Sequence, residues 1–320
     1  MRTDIAKASL AVLFLMAANF ASANTAVACR PPSHVRVSKE RTFTEIILKT
    51  DDSRLVFSRI SGFLTAWVVS GKAIIGEGGC LMPNFWCAVA GDDSIAGVHR
   101  QCGVWRTPKI ILADISARKE RAHGGMVVTA YYGIPETNTK MRMTYRYDGR
   151  SLEVTEQMVP ADTRKNVPPL PRFGMVMQLP FVMTDWRYNG SGECESWHCV
   201  QAGGGLSIDV TPSYGMPFFV SAMQCGDPNA PQEDSAMTGE PAMPGHSRLF
   251  IDGFNACVCA KDEGRGTAGG RQHRCMEVSG ELSFSFSIST VATAKTPCLL
   301  YTSDARRRIR RCRSRWSPYH

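Results

Sequence analysis

Groups with chemistry to offer are thinly spread along this 320-residue chain. A histidine acid facing a glutamate base across a groove could move the two protons that opening and reclosing a sugar ring requires. His246 with Glu195 or Glu156 is the pair on offer, but no spacing brings those residues together, and His34, His99, His123, His198 and His273 are equally scattered. Twelve cysteines are present, yet Cys194-x4-Cys199 and Cys257-x-Cys259 lack the paired spacing of a zinc site. No metal and no cofactor is therefore expected, and which cysteines pair is left open. Gly124-Gly125 and Gly203-Gly204-Gly205 do not precede helices, which argues against a phosphate loop. Gly91-Asp92-Asp93-Ser94 reads as an ordinary turn. Trp86 and Trp197 offer flat rings on which a sugar could stack, although burial in a core is the commoner fate of such rings.

The elements that must position these groups read as strands. Phe63, Thr65, Trp67 and Val69 alternate with Leu64, Ala66 and Val68 after a Ser61-Gly62 turn. Over Lys140–Tyr147, the residues Met141, Met143, Tyr145 and Tyr147 share one face, with Lys140, Arg142, Thr144 and Arg146 on the other. Asp148-Gly149 predicts a two-residue hairpin turn, and Ser151–Val159 runs back. Leu282, Phe284, Phe286 and Ile288 alternate with serines, as in a strand with one wet face. Sustained helical periodicity is missing after the first two dozen residues. The pattern predicts an all-β protein, an antiparallel sandwich in one domain. Cys225–Gly245 and Lys261–Arg274 read as loops.

Both ends differ from the body. Arg2 and Lys7, the apolar run Ala8–Ala18 and the small residues Ala21-Ser22-Ala23 read as a secretory signal over residues 1–23. Residues 24–34 follow as a linker, and an exported, soluble chain with no membrane partner is expected. At the other end, Cys298–Ala305 and Cys312–His320 read as translated sequencing-adapter DNA, so the biological chain is expected to end near Pro297. The net charge of +8 comes largely from this tail, where seven arginines stand against Asp304. The body is then nearly neutral, and no nucleic-acid partner is expected.

Several phrases in order, taken together, resemble the C-terminal small-chain domain of family 2 β-galactosidases. They begin with Val56-Phe57-Ser58-Arg59-x-Ser61-Gly62-Phe63-Leu64 and Gly78-Gly79-Cys80-Leu81-Met82-Pro83-Asn84-Phe85-Trp86. Trp105-Arg106-x-Pro108, Val154-Thr155-Glu156-x-Met158 and Pro171-Arg172-Phe173-Gly174-Met175 follow. Later come Tyr188-Asn189-Gly190-Ser191-Gly192-x-x-Glu195-Ser196-Trp197 and Ile251-Asp252-Gly253-Phe254. The resemblance extends over most of residues 35–297. It implies a β-supersandwich like that of galactose mutarotase, with the catalytic glutamate pair on a separate (β/α)8 barrel. By the same resemblance, Asp92, Asp93, Glu195 and Trp197 are the candidate substrate-binding residues, and no residue of this chain is catalytic.

The chain departs from the family pattern in several places. Where members read Asn-Phe-Trp-Arg-Ala-Pro-Thr-Asp-Asn-Asp, this chain has Cys87, Val89 and Ala90 among the substitutions. Cys257 and Cys259 replace glycines, and Gly264 falls where a sugar-stacking Trp is expected. A segment is missing between Trp197 and Gly203, which is expected to leave a sheet edge unpaired. The function implied is that of a non-catalytic module that completes the galactoside pocket of a larger glycoside hydrolase. Its partners would be a β-galactoside or other carbohydrate and the catalytic barrel domain. Two alternatives stand beside it: a separate exported carbohydrate-binding sandwich, and a mutarotase-like aldose epimerase.

Overall fold

The computed structural model describes residues 35–86, 101–120, 125–191, 194–201, 205–215, 219–224, 245–256 and 275–291. Every strand pairing among them is antiparallel, and the strands form two sheets. The first sheet runs β1 (Ser38–Arg41), β2 (Glu45–Lys49), β3 (Ser53–Ser58), β4 (Leu64–Val69), β6 (Leu81–Asn84), β11 (Arg172–Leu179), β16 (Ser247–Asn255) and β15 (Phe219–Gln224). A short β5 (Lys72–Ile75) pairs with β4 off this path. The second sheet runs β12 (Met183–Ser191), β13 (Cys194–Gln201), β14 (Ser207–Gly215), β17 (Leu282–Val291), β10 (Ser151–Pro160), β9 (Thr139–Tyr147), β8 (Met126–Ile134) and β7 (Ile111–Lys119). Rings from the two inner faces meet: Phe57 of β3 packs edge-on against Tyr145 of β9 at 5.0 Å, and Phe173 of β11 against Phe284 of β17 at 5.3 Å. This is the antiparallel sandwich expected from the strand pattern, and the supersandwich that the resemblance implies.

Strand β9 shows why the pattern was readable. Met141, Met143, Tyr145 and Tyr147 are all buried, while Lys140 and Arg142 are exposed. Burying each such side chain contributes about 1.5–3 kcal/mol, so a one-residue slip would forfeit the whole face. Strand β4 breaks its alternation for a local reason. Val56 pairs with Ala66 but Phe57 pairs with Leu64, so Thr65 is an extra residue on the β4 side. This bulge lets Leu64 and Trp67, three positions apart, both bury in the core. Thr65 Oγ1 donates to the Val56 carbonyl at 3.3 Å.

Two expectations need correction. The hairpin between β9 and β10 turns one residue later than expected. Asp148 and Ser151 close it, with Asp148 N–H donating to the Ser151 carbonyl at 3.3 Å, and Gly149-Arg150 sit at its tip. Asp148 Oδ1 accepts the N–H groups of Arg150 and Ser151 at 2.7 Å each, and Gly149 takes the positive φ of 98° that the first tip residue requires. The segment missing after Trp197 leaves no gap in the sheet. Strand β13 pairs with β12 on one side and with β14 on the other, and Gln201 N–H donates to the Leu206 carbonyl at 2.9 Å across the join. Two of the free edges carry charge instead: β1 is exposed throughout, and β7 is bulged between Leu112 and Asp114 with Arg118 and Lys119 along it.

The predicted loops over Cys225–Gly245 and Lys261–Arg274 lie almost wholly outside the described residues, as do the signal, linker and tail segments. No helix among the described residues is long and apolar enough to cross a membrane.

Candidate functional site

Three adjacent strands of the first sheet, β6, β11 and β16, bring together side chains from phrases more than 70 residues apart. Gly174 pairs with both Asn84 and Asp252, and Val176 with both Met82 and Phe250, so these residues form rows across the sheet. Val176 and Phe250 lie on the face away from the inter-sheet core, whereas their neighbours Met175, Met177, Leu249 and Ile251 belong to that core.

At one end of these rows is a buried ion pair. Arg172 Nε and Nη2 donate to Asp252 Oδ1 and Oδ2 at 2.7 and 2.8 Å, a bidentate fork. Arg172 Nη1 also donates to the Trp86 carbonyl at 3.4 Å, and its guanidinium lies 4.6 Å from the centre of the Phe250 ring. Asn255 Nδ2 donates to Asp252 Oδ2 at 3.1 Å. Burial pushes the Asp252 carboxyl up, and the Arg172 charge and the two hydrogen bonds draw it back. Only glycine fits at position 174, since a Cβ there would sit 2.2 Å from Asp252 Oδ1 and 2.8 Å from the Ile251 carbonyl. The clamp joins three of the quoted phrases, those containing Trp86, Arg172 and Asp252.

Beside the clamp is a cavity of about 250 Å³ lined by Asn84, Phe85, Trp105, Arg106, Thr107 and Arg248, among others. The short 3-10 turn Gly103–Trp105 delivers one wall, and Trp105 is fixed by its Nε1–H donating to the Pro168 carbonyl at 3.2 Å and by edge-on packing against Phe85 at 5.3 Å. Asn84 is buried; its Oδ1 accepts the Trp86 N–H at 3.2 Å, while its Nδ2 has no hydrogen-bond partner among the described residues. Rings, an amide and guanidinium donors around a concave space suit a hydroxyl-rich ligand. Among the described residues that line this cavity there is no carboxylate or imidazole.

The other buried acid is elsewhere. Glu156 occupies the inward stripe of β10 between Val154 and Met158, opposite Met143 and Phe284. It is fully buried, and among the described residues neither carboxyl oxygen has a hydrogen-bond partner. Burial first, and the Asp252 charge second, push its carboxyl well above the ordinary range. Closed inside the core, Glu156 cannot serve as the base that an epimerase would need to present to a sugar.

The candidate residues from the sequence are placed unevenly. Asp92 and Asp93 lie outside the described residues. Glu195 is on β13 opposite Gly190, and its side chain lies outside what is described. Trp197 is on β13 between Tyr188 and Val210, half-buried and packed against the core. Trp86 is buried, as the commoner fate of such a ring predicted. His246 is half-buried immediately before β16. His198, one of the scattered histidines, has Nδ1 at 2.6 Å from Oδ1 of Asp209 directly across the β13–β14 ladder. Sequence reasoning missed Asn84, Arg106 and Arg248 as a group; the phrases containing Asn84 and Arg106 were the only signal. Among the described residues, no group of three His, Cys, Asp or Glu could hold a metal ion.

Comparison with known proteins now bears on this geometry. Residues 49–205 match the family described as beta galactosidase small chain. A beta-galactosidase of Lactobacillus delbrueckii subsp. bulgaricus is 29% identical over 154 residues, which is 47% of this chain and only 15% of that protein. Among solved structures, a TPR-domain-containing protein from Parabacteroides distasonis aligns at TM-score 0.46 and 10% identity, over 80% of this chain and 49% of its own. A candidate aldose 1-epimerase from Escherichia coli aligns at TM-score 0.40 and 9% identity, over 81% and 99%. The architecture rests on the strand pairing rather than on these distant likenesses.

Proposed function

From the premise that this chain carries a β-galactosidase small-chain module, we propose that it is a non-catalytic part of a larger glycoside hydrolase and helps to complete its galactoside pocket. The observation that carries the reading is the cavity beside β6, β11 and β16. Among the described residues, its lining offers rings and hydrogen-bond donors but no carboxylate or imidazole. A glycosidase needs two carboxyl groups flanking the bond it breaks. The two buried acids described are unsuited to that task, one enclosed in the core and the other held by Arg172. In this reading the catalytic pair is supplied by a separate domain, and the module contributes a wall that orients sugar hydroxyls.

Two measurements test this. The purified chain is expected to release no nitrophenol from nitrophenyl-β-galactoside, and to raise turnover when mixed with a β-galactosidase fragment that lacks its small chain. Release by the chain alone, surviving removal of host enzyme, would overturn the non-catalytic role. Galactose binding that is weakened by Arg106→Ala, without any gain on mixing, would favour a separate carbohydrate-binding protein instead.

A further inference from the structure

Two cysteines that no spacing connects come together at the edge of the core. Cys102 precedes the 3-10 turn Gly103–Trp105 and is 1% exposed. Cys275, 173 positions later, is half-buried beside Met276 and packs against the core cluster. Their Sγ atoms are 3.1 Å apart.

Both backbones are held in place near this contact. Met276 exchanges two hydrogen bonds of 2.8 Å with Leu170, outside the main strands. Trp105, three residues after Cys102, is tied to Pro168 of the same 168–170 stretch. One short segment, 168–170, thus anchors the chain next to both cysteines. The sulfurs need about 1 Å of further approach to reach bonding distance, a movement within the reach of side-chain rotation.

We infer that Cys102 and Cys275 are the two halves of a disulfide that forms when the chain folds in an oxidising environment. Each thiol gives up its hydrogen as the Sγ–Sγ bond forms. The two electrons and two protons pass to a small-molecule disulfide such as oxidised glutathione, which is cleaved to two thiols. The bond would close a loop of more than half the chain and tie the wall of the cavity, through the 3-10 turn, to the segment leading into β17 (Leu282–Val291). The contact with Cys275 and burial push the Cys102 thiol up, so its reactive thiolate is scarce once the fold is complete. Oxidation is therefore expected during folding and to be slow in the folded, reduced protein.

The test uses the full chain refolded in a mixture of reduced and oxidised glutathione. Remaining thiols are then alkylated, and the chain is digested without reduction for mass spectrometry. A cross-linked peptide pair containing Cys102 and Cys275, lighter by two hydrogens and split by dithiothreitol, is the expected result. Cys275→Ser should abolish that pair and leave Cys102 alkylated. Recovery of both cysteines in alkylated form from refolded wild type would overturn the proposal. So would Cys102 linked to any other cysteine. Because the mapping is done on wild type, it does not depend on a variant that folds.

Discussion

Two acids are fully buried in the described residues, on facing sheets, and their surroundings are opposite. Asp252 on β16 receives a bidentate guanidinium and an amide. Glu156 on β10 receives no hydrogen bond, and its inward neighbours along the strand are Val154 and Met158. Burial alone therefore does not decide whether an acid remains ionised in a sandwich; the donors supplied by neighbouring strands do. The first acid organises a corner of the fold beside the cavity. The second is an acid in an otherwise apolar stripe, best accommodated with its proton on.

The largest effect expected is at the clamp. Arg172→Met would leave the Asp252 charge buried and uncompensated, with a loss of about 3–5 kcal/mol in denaturant-melt stability. Adding Asp252→Leu should restore much of that loss. If the double variant were no better than the single one, the charge on Asp252 would not be the source of the damage.

A smaller effect of opposite sign is expected at the second acid. Glu156→Met removes two partnerless oxygens and should stabilise by about 1–2 kcal/mol at pH 8. The pH dependence follows from the raised carboxyl. Its proton is bound more tightly in the folded chain than in the unfolded one, so wild-type stability is fullest below the ordinary value of 4.5 and declines as the pH rises above it. Melts of the Met variant should lack that decline, and a wild type whose stability rises with pH through this range would contradict the assignment.

The smallest effect is on the pairing of β10 with β17. Thr155 Oγ1 and Ser285 Oγ lie 2.9 Å apart in directly opposed positions. Ser285→Ala should lower stability by about 1 kcal/mol, and Thr155→Val/Ser285→Ala together by less than the sum of the single changes.

What the residues announced in advance was local. The alternation in β9, β10 and β17 identified the strands and their inward faces, because side chains on a pleated strand change sides at every residue. The serines of β17 were read as a wet face, yet Ser285 is buried, since a hydroxyl can be enclosed once a cross-strand partner satisfies it. The Asp148-Gly149 signal found the hairpin but missed its register by one, because Asp148 uses its carboxylate to cap the turn instead of sitting at the tip.

Of the candidate site, the phrases were legible and their meeting was not. Asn84 and Arg248 converge only because β6, β11 and β16 are neighbours in the sheet, Arg106 joins them from the 3-10 turn, and strand order is set by long-range packing. The same holds for Arg172 finding Asp252, Cys102 finding Cys275, and Thr65 being extruded as a bulge. Sequence by itself determined the antiparallel β character and, through its ordered phrases, the small-chain resemblance. Tertiary structure decided which charges are paired, which acid is enclosed and which thiols meet. Those outcomes depend on residues 80 or more positions apart sharing one dry environment, and no local spacing encodes that.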